Sequence, residues 1–199
     1  MSKRARRIII FFVFVFIVGG GYVLVQFLLS SGGVPKEFTD ARLQSALIAQ
    51  DIVNLSNQSV IDLAKINELD MQGKSTEALN LTTDVIKQSQ QIRDRAVELS
   101  GQVEIMTRSL SNIDSLEARQ AALESIANRL ALISRLINYS GYLGQLLDTL
   151  RSHFVGSTQS GNKDVELLID QINGEVRAIN NFNSQATQSM NKFDKIVSQ

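Results

Sequence analysis

Apolar and small residues recur in alternating steps of four and three along most of this chain. The most regular run is Ala78, Thr82, Val85, Ser89, Ile92, Ala96, Leu99, Val103, Met106, Leu110 and Ile113. A repeat of 3.5 residues sustained over this length keeps one helical stripe facing its neighbours, as a left-handed bundle requires. A second run follows the same rule: Leu123, Ile126, Leu130, Ile133, Ile137, Ser140, Gly144 and Leu147. A third passes from Val165, Ile169, Ile172, Val176 and Ile179 through Asn183 to Ala186, Met190, Phe193 and Val197. Asn183, the one amide in that seam, is expected to fix register. An earlier helix, from about Thr39 to Asp70, is less regular, and its best seam is Ala46, Ala49, Val53, Val60 and Leu63.

Breaks in the pattern fall between these runs. Gly73 suits a left-handed helix end, Ser75 a helix start, and Asp114 with Glu117 a capping arrangement. The longest connection is Val155–Asn162, and the single proline, Pro35, precedes all four helices. Short connections make consecutive helices antiparallel neighbours. The expected fold is all-α: an antiparallel up-down-up-down four-helix bundle with long coiled-coil-like helices, over residues 39–199.

Residues 8–29 differ from everything that follows. Ile8 to Leu29 is almost continuously apolar, and a helix of about 22 residues would span roughly 33 Å, enough for a bilayer core. Cleaved secretion signals have a shorter apolar region and an A-x-A-like site. Ser30-Ser31-Gly32-Gly33 matches such a site poorly, so an uncleaved transmembrane anchor is expected at 8–29. Lys3, Arg4, Arg6 and Arg7 precede it, which places residues 1–7 as a cytoplasmic basic tail by the positive-inside rule. Residues 30–38 then form a linker, and the bundle lies outside the cell membrane, held by a single span. With the first helix leaving the bilayer, the turn at Met71–Lys74 and the Val155–Asn162 loop are expected to be distal. Gly19-Gly20-Gly21 reads as a flexible point in the span, since close helix contacts use spaced glycines.

Charge and composition narrow the partners. The chain has 20 basic and 20 acidic residues; setting aside the four basic residues before the anchor leaves 16 against 20. An acidic excess disfavours nucleic acid, which needs a basic face. There are no cysteines, hence no disulfide, thiol nucleophile or thiolate metal site. His153 is the single histidine, and no acidic residue stands near it in a metal-ligand spacing of the di-metal bundle type. Gly156–Gly161 lacks the lysine that follows a phosphate-binding glycine loop. No enzyme activity, cofactor or metal is expected.

Two groups of residues are candidates for function. Leu132, Leu136, Tyr139, Leu143, Leu146 and Leu150 form a second stripe on the third helix. It is either part of a wide core-facing band or an outer face for a partner or a second copy of the chain. Ser56, Thr82, Ser89, Ser140 and Gly144 fall at matching heights in the distal bundle. Either they line a polar cavity or their hydroxyls bond to helix carbonyls.

Two resemblances bear on these choices. GKSTEALNL (residues 73–81) is similar to the start of the second helix of a tetratricopeptide repeat, but that repeat implies shorter helices recurring about every 34 residues, and no second copy is found. The outline of one N-terminal span and long antiparallel helices resembles the four-helix sensor domains of bacterial chemoreceptors. That likeness implies a ligand-sensing domain, and, with no second apolar span, a separate signalling partner. The sequence itself points first to a membrane-anchored interaction or scaffold module of the cell envelope, with a protein partner or a homo-oligomer expected and no nucleic acid.

Overall fold

The computed structural model describes residues 33–156 and 162–199, and the side chains of all of these except 162 and 163. Four long helices account for nearly all of them: α1 (Lys36–Met71), α2 (Ser75–Ser109), α3 (Leu116–Phe154) and α4 (Asn162–Val197). A single 3-10 turn, Leu110–Asn112, extends α2, and there is no strand among the described residues. The residues between Pro35 and Val155 include no proline, so nothing removes a backbone donor inside these helices.

The connections explain where the helices stop. Gly73 has φ of 71°, and the chain reverses there with Lys74 N–H donating to Leu69 O at 3.0 Å and Gly73 N–H to Asp70 O at 3.0 Å. This six-to-one closure satisfies carbonyls that the helix end leaves open. Gly156, also at φ 71°, ends α3 in a similar way. At the other end of the bundle, Ser115 caps α3 by accepting a hydrogen bond from Ala118 N–H at 3.2 Å. The cap is therefore Ser115, not the expected Asp114. Ser75 is the first residue of α2 and makes no capping bond.

α1 packs along α2, α2 along α3 and α3 along α4, whereas the backbones of α1 and α4 hardly approach each other. Ser89 Oγ donates across to Ser140 O at 2.9 Å and Ser125 Oγ to Ala186 O at 2.8 Å, fixing the registers of α2 with α3 and α3 with α4. Phe38 and Phe193 stack with ring centroids 5.3 Å apart, joining the start of α1 to the end of α4. The order is that of an antiparallel bundle left open along one seam.

The core follows the sequence most closely in α2, where the seam from Ala78 to Met106 is buried at each of its nine positions. In α3 the buried face lies between the two expected stripes: Leu136, Tyr139, Leu143 and Leu146 are buried, while Leu123 and Leu130 are 52% and 50% exposed. In α1 the buried line is Phe38, Ala41, Ser45, Ile48, Ile52, Ser56, Ser59, Val60, Ile66 and Leu69, of which Val60 belongs to the expected seam. The expected Ala46, Ala49, Val53 and Leu63 are only half-buried beside it. Asn183 is exposed, so it fixes no register. Among the described residues no helix is long and apolar enough to cross a membrane. The expected tail, anchor and triple glycine lie in residues 1–32, outside the described residues.

An apolar cleft between the first, third and fourth helices

Because α1 and α4 hardly approach, the leucine band of α3 is not fully roofed at the end of the bundle near Gly73 and Gly156. Tyr139, Leu143, Leu146, Leu150 and Phe154 form the floor of a cleft there. Val60, Leu63 and Ile66 of α1 make one wall, and Val165, Ile169 and Ile172 of α4 the other. The cavity they enclose is about 70 Å³. Apart from the Tyr139 hydroxyl, its polar lining comes from Asn67 and Asp70. His153 stands just outside, with Nε2 3.8 Å from Asp70 Oδ1.

Tyr139 shows how dry the floor is. It is 2% exposed, and burial pushes its phenol up to about 12, with the neighbouring Ser56 hydroxyl pulling weakly the other way. The Ser56 oxygen itself completes no hydrogen bond of good geometry. A phenol held neutral and an unsatisfied hydroxyl leave this floor with no group able to move a proton near neutral pH.

The two candidate groups from the sequence meet here in different ways. Leu136, Tyr139, Leu143 and Leu146 are buried and Leu132 and Leu150 half-buried, so the stripe is a core band and not an outer face. A helix packed on two neighbours and flooring a gap opposite must be apolar over a wide arc. Ser56, Ser89 and Ser140 do come together in one layer, through the Ser89–Ser140 bond and the Ser56–Tyr139 contact. Thr82 Oγ1 donates to Ala78 O at 2.7 Å and Ser140 Oγ to Ile137 O at 2.9 Å. Gly144 leaves open space above its Cα. Helix carbonyls thus take up the hydroxyls of Thr82, Ser89 and Ser140 but not that of Ser56, and none of the five residues lines the cleft. Of the walls, Val60, Leu63, Val165, Ile169 and Ile172 are expected seam positions, whereas Ile66 sits off the expected seam of α1 and Asp70 reads in the sequence only as a helix end.

A wider depression between α1 and α2, about 420 Å³, is bordered by Asp51, Asn54, Gln58 and Arg95. Arg95 already pairs with Glu98 at 2.6 Å and with Asp51 at 3.5 Å, so its charge is answered from within the chain. Among the described residues no cluster of three or more potential metal ligands occurs. No protein-family model, no curated protein and no solved structure matches the chain.

Proposed function

We propose that the chain is a single-span, membrane-anchored protein of the cell envelope whose extracytoplasmic bundle acts by binding a protein partner, with no catalytic activity. The observation that carries the binding half is the cleft, an apolar hole flanked by one carboxylate. Its size decides what kind of guest suits it. Small-molecule sites commonly enclose roughly 300–1,000 Å³, and apolar cavities of about 150 Å³ take up benzene. A space of about 70 Å³ suits one aliphatic side chain carried by a larger partner. Such an anchor in a desolvated pocket is the usual energetic centre of an interface. Asp70 at the rim favours a partner with a basic residue next to the anchor.

The anchoring half rests on the sequence of residues 3–29. It is tested by Ser157→Cys in intact cells. Labelling by a membrane-impermeant thiol reagent is expected, and labelling only after lysis would overturn the topology. Binding is tested by titrating the full chain in neutral detergent with two helical peptides. Each carries one leucine, flanked by lysines in one peptide and by glutamates in the other. The lysine peptide should shift the methyl resonances of Leu143 and Leu146, and Asp70→Asn should narrow the difference between peptides. If neither peptide shifts them, the cleft is not a docking point.

A second function has its own supporting observation. An enclosed apolar space beside a polar rim is also what a four-helix sensor domain would offer a small amphipathic ligand, with a separate signalling protein reading the result. Saturable uptake of a short alkylammonium ion, with no response to the lysine peptide, would favour that alternative.

A further inference from the structure

The opposite half of the bundle holds a positive charge that no described residue balances. Arg42 of α1 grips Asp194 of α4 with two parallel hydrogen bonds, Nη1 to Oδ1 at 2.5 Å and Nη2 to Oδ2 at 2.7 Å. Both side chains are largely enclosed, 15% and 22% exposed. Arg129 reaches the same region from α3. Its Nε is shut away from solvent, and no described residue accepts a hydrogen bond from it. Burial, and then the charge of Arg42, pull its guanidinium down to about 10. No carboxylate counters these two effects.

Two guanidinium groups are therefore neighbours here, and the carboxylate of Asp194 is taken up by Arg42. An arginine at ordinary pH does not lose its proton. Arg129 is half-buried with its Nε enclosed, and a cation so placed without a counter-ion is costly, so the fold gains from an anion at this place. The fork of an arginine matches the oxygens of a carboxylate or phosphate, two bonds at a time.

We infer that Arg129, with Arg42 beside it, is a receptor for a small oxyanion of the carboxylate or phosphate class, set in the seam between α1 and α4. The site is separate from the apolar cleft and does not depend on the function proposed for it. A free oxyanion and a lipid headgroup share this chemistry, and the test below separates them.

The test is thermal melting of the full chain in neutral detergent, with inorganic phosphate or acetate replacing chloride at constant ionic strength. Phosphate should raise the melting temperature by several degrees in a saturable way, as ligand linkage requires. Arg129→Met should melt at or above the wild type in chloride, having removed an unbalanced charge, and should lose the phosphate effect. Arg129→Lys keeps the charge but not the fork, and should lose most of the effect while remaining folded. Equal melting in phosphate and chloride overturns the site, as does a phosphate effect that survives Arg129→Met. Reconstitution into vesicles with and without a monoanionic phospholipid separates the sources. Stabilisation by the anionic vesicles alone would overturn the soluble anion and assign the site to a headgroup.

Discussion

Among the side chains fully enclosed by the bundle, Tyr139 is the largest, and its hydroxyl makes stability sensitive to alkali. The neutral phenol is what the dry floor tolerates, so the folded-state value of about 12 lies above the ordinary value of about 10. Its contribution is complete below pH of about 10 and is lost as pH rises through about 12. Two units of difference correspond to about 3 kcal/mol. Arg129 works in the opposite sense over the same range, since its lowered value relieves a burial penalty as the proton leaves. The informative comparison is therefore Tyr139→Phe against the wild type, in which Arg129 is common to both. Urea unfolding from pH 9 to pH 12 should show the wild type losing stability relative to Tyr139→Phe by up to about 3 kcal/mol. Parallel curves would mean that the phenol reaches water when it ionises.

At the scale of single helices, the ends and the seams were legible to different degrees. Gly73 was marked by its conformational freedom and does adopt the left-handed state. The start of α3 was misplaced by one residue, because Asp114 and Ser115 are both good caps and only the geometry selects Ser115. Ser115→Ala should therefore cost about 1 kcal/mol and Asp114→Ala much less, which chemical denaturation of the two variants will resolve. The seam of α2 could be read in full because that helix packs on neighbours at both sides and its core positions are mostly apolar. That of α1 could not, because Ser45, Ser56 and Ser59 stand at core positions and make the true line look polar. The burial of Ser45 and Ser59 is tolerated through bonds the sequence does not display, while Ser56 rests against Tyr139. Ser59 Oγ bonds Leu55 O at 2.9 Å and Gln88 Oε1 at 2.8 Å, and Ser45 Oγ lies 4.0 Å from Met106 Sδ. In α3, period alone allowed two stripes, and packing against α2 and α4 chose the arc between them. Leu136→Asp with Leu143→Asp should consequently unfold the domain, each placing a carboxylate in the core. Leu123→Asp with Leu130→Asp should leave helix content and melting nearly unchanged, since both side chains are half exposed.

For the whole molecule, the decisive feature is a bundle with three packed seams and one open one. The sequence indicates four helices and their order, but no residue pattern along any one helix states how far apart the first and last will stand. That spacing depends on side chains from several helices at once. Phe38 against Phe193 and Arg42 against Asp194 close the end where the chain enters and leaves. Toward Gly73 and Gly156 the two helices part over the α3 floor, and both the cleft and its accessibility depend on this. Local opening should follow the same division, because protection from hydrogen exchange tracks buried contact. In the full chain, backbone amides of α2 and α3 should exchange most slowly. Those of α1 from Val60 to Asp70 and of α4 from Val165 to Ile172 should exchange faster than the halves of the same helices near Phe38 and Phe193. Addition of a peptide with a leucine anchor should slow exchange in these two stretches and leave α2 unchanged. Uniform protection of all four helices would mean that the seam is closed in solution, and a closed seam would leave no way into the cavity.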